Sequence, residues 1–146
     1  MRRGERLLTN GNNDHMHLES PTKLVNQSSE TVFKFLSDVK NFETLMPENI
    51  DKFELLNEET FRFALKGMPE IVLRKEEEFP NSKVVLGAAS SKLNFTLTAD
   101  IQEVSAKESE VALSFDGKFN AMMAMMIKGP LSNFIKTLSN NMDRIQ

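Results

Sequence analysis

The chain has 146 residues, 40% of them apolar and 27% charged, which suits one globular domain with a substantial core. A net charge of −3 and a pI near 5.5 argue against nucleic acid as the main partner, because phosphate contacts need concentrated Lys and Arg. Cysteine is absent, which excludes disulfides, thiolate metal sites and a cysteine nucleophile, and no apolar run reaches the roughly 18 residues of a membrane span. A cytoplasmic location is the expectation.

Trp and Tyr are also absent, whereas Phe reaches 11 and Met 9, so the aromatic content has no phenol or indole donor to orient a polar guest. The first residues, Met1-Arg2-Arg3-Gly4-Glu5-Arg6-Leu7-Leu8, are basic without a following apolar stretch and do not form a signal peptide. Residues 9–15 have the composition of a tail. Residues 1–15 therefore read as an extension, with Met16 as an alternative start, and 16–146 as the domain.

His17–Asn26 reads as a first strand that Pro21 confines to an edge or a bulge. Ser28 or Ser29 can cap a helix with Glu30 in its first turn, and Val32, Phe33, Phe35, Leu36 and Val39 recur at helical spacing. An amphipathic helix is thus predicted over Ser29–Val39. Phe42, Leu45 and Met46 predict one more short turn, stopped by Pro47.

From Asp51 the apolar period changes to two. Strands are predicted at Lys52–Leu56, Phe61–Lys66, Ile71–Phe79, Lys83–Ala89, Leu93–Ile101 and Glu110–Phe119. Leu93–Ile101 alternates without error, the mark of a strand with one buried and one wet face. Short turns join these strands, and a parallel crossover needs a dozen or more residues, so a seven-stranded antiparallel sheet follows. The tail divides at Gly129-Pro130: Asn120-Ala-Met-Met-Ala-Met-Met-Ile127 precedes it. Leu131, Phe134, Leu138, Met142 and Ile145 then mark a long amphipathic helix with Pro130 in its first turn. That helix is the expected cover for the sheet.

The order of one strand, two short helices, six strands and a long terminal helix resembles the helix-grip layout of the START-like, or SRPBCC, superfamily, which includes the birch-pollen-allergen fold. Ser29-Glu30-Thr31-Val32-Phe33-Lys34-Phe35-Leu36-Ser37-Asp38-Val39, with Asn41-Phe42 and Leu45-Met46-Pro47, is similar to the helix segment of bacterial polyketide cyclase-like, coenzyme Q-binding and carbon monoxide dehydrogenase accessory members. Gly129-Pro130-Leu131 with Phe134 and Leu138 is similar to the ending of small uncharacterised bacterial members. The likeness spans residues 16–146 and rests mostly on apolar positions. It implies an α+β helix-grip fold whose cavity, between sheet and terminal helix, receives lipids, sterols, quinones or polyketides.

The residues expected to face that cavity are Phe53, Leu55, Phe61, Phe63, Leu65, Ile71, Leu73, Leu86, Phe95, Leu97, Ala99, Leu113, Phe115 and Phe119 from the sheet. Met122, Met123, Met126, Ile127 and Phe134 join them from the tail. The cluster Met122, Met123, Met125 and Met126 reads either as adaptable ligand contact or as core filler. Gly87, Ala88, Ala89 and Gly117 either leave space or permit bending. Lys75 and Glu77 share the register of Ile71 and Leu73, as an anchor at the cavity mouth or as a sheet end projecting past the core. His15 and His17 lie outside any cavity, and Asp100 and Asp116 point outward.

No catalytic or metal-binding constellation and no cofactor motif is read. The expectation is a binding protein for a small hydrophobic molecule and not an enzyme. The alternative is an interaction protein, such as an assembly or chaperone co-factor, without a ligand. A cyclase or dehydrase would need inward polar residues.

Overall fold

The computed structural model describes residues 15–48, 50, 52–89 and 93–146. The predicted extension thus lies outside the described residues, as do Asp51 and the Ser90-Ser91-Lys92 connection; His15 alone belongs to the fold, as the first residue of a strand. Strands form at His15–Glu19 (β1), Lys23–Val25 (β2), Phe53–Asn57 (β3), Thr60–Phe63 (β4), Ile71–Phe79 (β5), Lys83–Ala88 (β6), Asn94–Ser105 (β7) and Glu108–Lys118 (β8). They make one antiparallel sheet in the order β1-β8-β7-β6-β5-β4-β3, with β2 also paired to β8. The predicted first strand is therefore two, broken where Pro21 lacks an N–H for the ladder. Ser20 bridges the break: its N–H donates to the Leu113 carbonyl and its Oγ accepts from the Leu113 N–H, both at 2.9 Å.

Helices occupy Ser29–Ser37 (α1), Phe42–Leu45 (α2) and Ala121–Asn140 (α3). Ser28 caps α1, with Oγ accepting from the Thr31 N–H at 3.1 Å, and Val32 and Leu36 are buried. The end of α2 is tied to the end of the chain: Asn141 Nδ2 donates to the Leu45 carbonyl and Arg144 to the Thr44 carbonyl, both at 2.9 Å. These side chains satisfy carbonyls that a helix end leaves open.

The predicted division at Gly129-Pro130 is corrected. One helix runs from Ala121 through Pro130 to Asn140, capped by Asn120 Oδ1 accepting from the Met123 N–H at 2.8 Å. Proline cannot donate to the carbonyl four residues back, here Met126. That loss falls where Met125, Met126, Lys128 and Gly129 are all exposed, so water can serve the freed carbonyl. Helical packing on the sheet on both sides of Pro130 outweighs the missing bond.

The core is the space between the sheet's inner face and the helices. Phe61 is fully buried and stacks on Phe42, Phe53 and Phe63 at centroid distances of 5.5, 5.2 and 5.8 Å. Phe63 stacks in turn on Phe134 of α3 at 5.1 Å, which carries the aromatic chain from sheet to helix. Deleting a buried Phe side chain costs about 3–5 kcal/mol of transfer and cavity energy. Phe61→Ala is accordingly expected to lower the melting temperature by about 10 °C or more in a circular dichroism melt, the usual scale for such a loss. An unchanged melting temperature would mean the stack is not central to the core.

Candidate functional site

Of the residues expected to face a cavity between sheet and α3, Phe61, Phe63, Leu65, Ile71, Leu73, Leu86, Phe95, Leu97, Ala99, Leu113, Phe115, Phe119, Ile127 and Phe134 are all buried, Phe61 against Phe42 of α2. Phe53 and Met123 are half-buried at the margins of that space. Leu55, Met122 and Met126 are placed differently, with side chains exposed to solvent. Leu55 lies on the edge strand β3, where no further strand covers it. Met122 and Met126 lie on the outer face of α3, because a helix that is apolar all round can turn only one side to the sheet.

The space itself is nearly filled. A dry slit lined by Phe63, Ile71, Leu73, Phe95, Leu97, Phe115, Leu131 and Phe134 holds about 10 Å³, too little for more than a single water. The small residues do not hollow it. Gly117 faces Phe95 across the ladder, and a Cβ there would meet the Phe119 ring and the Phe95 Cβ at 2.7 Å each. Gly87 is covered in the same way by the Glu76 side chain. Glycine here lets aromatic and charged groups approach the backbone.

Immediately outside the slit lies an open cleft of about 420 Å³, walled by Pro47, Leu65, Lys66, Gly129, Pro130, Asn133, Phe134 and Thr137. The turn from Leu65 to Met68 shapes one wall: the Met68 N–H donates to the Leu65 carbonyl at 3.0 Å, and Gly67 sits at φ +85°, the left-handed conformation that favours glycine. Lys66 occupies the corner of that turn. Pro47, ending α2, and one flank of α3 complete the cleft. Phe134 and Leu65 supply apolar wall, and Lys66, Asn133 and Thr137 supply the polar groups. Phe134 lines both the cleft and the dry slit, so its ring is the partition between them.

Lys66, Asn133 and Thr137 were not among the sequence candidates. Nothing local marks them; only tertiary packing brings the β4–β5 turn beside the middle of α3. A larger groove of about 580 Å³ runs between α1 and the β3–β5 edge, but its walls carry Lys34, Asp38, Lys40, Glu58, Glu59, Lys75 and Glu78. Ion pairs within it, such as Lys40–Asp38 at 3.6 Å and Lys75–Glu78 at 3.3 Å, make it a solvated charged surface.

Lys75 does turn inward, and its task there is visible. Its Nζ donates to the Ser37 carbonyl at 3.0 Å, holding the C-terminus of α1 to the sheet, where a cation also suits the helix dipole. Glu77 is exposed, because a bulge between Lys75 and Glu77 breaks the alternation after Lys75.

His15 and His17 stand on the outer face of β1, away from the cleft, as expected, but they are not idle. His17 Nδ1 lies 2.6 Å from Asp116 Oδ1 and its Nε2 lies 3.1 Å from Glu19, while His15 Nε2 lies 3.2 Å from the same Asp116 oxygen. The hydrogen bond to Asp116, then that to Glu19, holds the His17 pKa above its ordinary value. No group of three or more His, Asp or Glu among the described residues is arranged to hold a metal.

No protein-family model matches the chain, and no curated protein matches it in sequence. Solved structures do match in shape. The START superfamily protein from Mycobacterium smegmatis superimposes with a TM-score of 0.64 at 14% identity, over 88% of this chain and 96% of that one. The ZhuI aromatase/cyclase from Streptomyces sp. R1128 gives 0.64 at 15% identity, over 90% and 96%. Norcoclaurine synthase from Thalictrum flavum gives 0.67 at 10% identity, over 97% and 95%.

The chain has a helix-grip fold, an antiparallel sheet gripping a long C-terminal helix, like that of the START superfamily protein and the two enzymes. The expectation of a non-enzyme is corrected by these neighbours, since the same architecture serves an aromatase/cyclase and a synthase. Fold by itself assigns neither role. Among the described residues no helix is long and apolar enough to cross a membrane.

The His17 clip gives a pH test. A group whose folded pKa is raised contributes stability that is fully present below its unfolded pKa, near 6.5, and is lost as pH rises through the folded value. Urea unfolding of the native protein and of His17→Gln should therefore differ more at pH 6 than at pH 8.5. A difference independent of pH would show that the two carboxylates do not hold an imidazolium.

Proposed function

We propose that this protein binds a small, largely apolar molecule with one polar end in the cleft beside α3, and that the guest displaces the Phe134 ring to reach the seam between helix and sheet. The observation that carries this reading is the double position of Phe134, wall of a cleft of about 420 Å³ on one side and of a dry apolar slit on the other. The cleft lies within the roughly 300–1,000 Å³ typical of small-molecule sites, and it has the usual makeup of apolar walls and a few polar groups. Lys66 would meet an anionic or strongly polar end, with Asn133 and Thr137 as further hydrogen-bonding partners. The norcoclaurine synthase of the same fold has been crystallised with dopamine and hydroxybenzaldehyde, which supports small aromatic molecules as a size class.

Affinity would come from apolar area removed from water. At about 25 cal/mol per Å², a guest burying about 200 Å² gains about 5 kcal/mol before the costs of ordering are met. Moving Phe134 draws on the same source, because a guest that takes the place of the ring packs on Phe63 as the ring did.

Titration with the anionic apolar dye ANS tests this. Thr137→Trp fills the cleft from the half-buried flank of α3 and should weaken dye binding about tenfold or more at an unchanged melting temperature, as expected when a pocket is blocked without touching the core. Phe134→Leu thins the partition and should strengthen it. Dye binding unaltered in both folded variants would overturn the assignment of the cleft.

A further inference from the structure

The first half of α3 breaks the rule that the outer face of a surface helix is polar. Met122, Met125 and Met126 are 75%, 84% and 56% exposed, and with Gly129 they follow the i, i+3, i+4, i+7 spacing of a single helix stripe. Continuing along the same side, Ser132, Asn133 and Lys136 restore a polar surface, so the apolar patch ends abruptly after two turns. Three neighbouring exposed thioethers are a patch that water does not favour, and such patches mark interaction sites.

The charge around the patch says what kind. Along α3 itself the charged residues are Lys128 and Lys136, with no carboxylate, although the chain as a whole is at −3. Both lysines are exposed. Lysine is depleted from protein–protein interfaces. At a lipid surface it is favoured, because the butyl stem lies along apolar material while the ammonium reaches the headgroups. Unbranched Met side chains can enter disordered acyl chains without a matching shape.

We infer that the outer face of the first half of α3 docks on an anionic lipid surface, with Met122, Met125 and Met126 entering the headgroup–acyl boundary and Lys128 and Lys136 meeting the lipid charges. The attachment is peripheral, since no helix among the described residues can span a bilayer. With only three Met side chains inserted, it is weak and reversible. It does not rest on the cleft, although Gly129 and Pro130 belong to both and docking would set the cleft mouth near the lipid.

Co-sedimentation with vesicles tests the inference, comparing an equal mixture of phosphatidylglycerol and phosphatidylcholine with phosphatidylcholine alone at low salt. The full-length protein should pellet with the mixed vesicles and stay in solution with the neutral ones, and added salt should release it. The double substitution Met122→Asp/Met125→Asp places acids in the first two turns, which α3 tolerates, and should weaken binding about tenfold or more without moving the melting temperature. Lys128→Glu/Lys136→Glu, which leaves the Met patch whole, should weaken it as well. A protein that stays in solution with both vesicle types would overturn the inference, as would undiminished binding by the folded Met variant. A stoichiometric protein partner lost on Met122→Asp/Met125→Asp, with no vesicle binding, would assign the face to a protein instead.

Discussion

One constraint governs this molecule: a sheet with a continuous apolar face and a single long helix to cover it. Fully burying one Phe or Leu stabilises the fold by about 1.5–3 kcal/mol relative to exposure, and Phe61, Phe63, Phe115, Leu73, Leu86 and Leu113 are all fully buried. That burial is shared between α3, α1, which packs on β6, β7 and β8, and α2, whose Phe42 stacks on Phe61. The contact of Phe63 with Phe134 is where the two layers meet most directly. Around it, α1, α2 and the final turn at Asn141–Arg144 close the remaining margins through side chains aimed at open carbonyls: Lys75 to Ser37, Asn141 to Leu45, Arg144 to Thr44.

The cover is unevenly fastened. After Pro130, α3 buries Leu131, Phe134, Ile135, Leu138 and Ser139; before it, Ile127 alone is fully enclosed. Pro130 also removes the backbone bond to Met126 at the junction of the two halves. Local opening is cheapest where the least apolar packing is given up, so the first half is the part of the cover that can lift while the second stays down. Phe134, one turn beyond the junction, stands between cleft and interior. A closed and dry seam is thereby compatible with a ligand-binding reading, because the weakest part of the lid adjoins the partition.

Much of the sheet was legible from alternation alone, since six period-two segments can hardly do anything else with short turns between them. Pro21 marks an edge or a bulge in the sequence, and in the fold it splits the one predicted strand into β1 and β2. The fold was therefore readable on apolar positions, and the neighbours of known structure share it at 10–15% identity. What the pattern concealed has physical reasons. Gly129-Pro130 reads as a stop, yet packing on both sides carries the helix through. In the run from Asn120 to Ile127 every face is apolar, so periodicity cannot choose which side meets the sheet, and Met122 and Met126 came out wet. The Lys75–Glu77 bulge inverts an alternation that the sequence displays as regular. Lys66, Asn133 and Thr137 converge only through tertiary packing. The exclusion of enzymes leaned on missing proton carriers, whereas the architecture itself is used by catalysts.

The most direct measurement of the unevenly fastened lid is amide hydrogen exchange along α3, with and without saturating ANS. The expected result is exchange about tenfold or more faster at Met125–Gly129 than at Phe134–Leu138, a difference of about 1.4 kcal/mol in opening free energy, narrowing when the dye is bound. Equal protection on both sides of Pro130, untouched by the dye, would contradict a lid that opens toward Phe134.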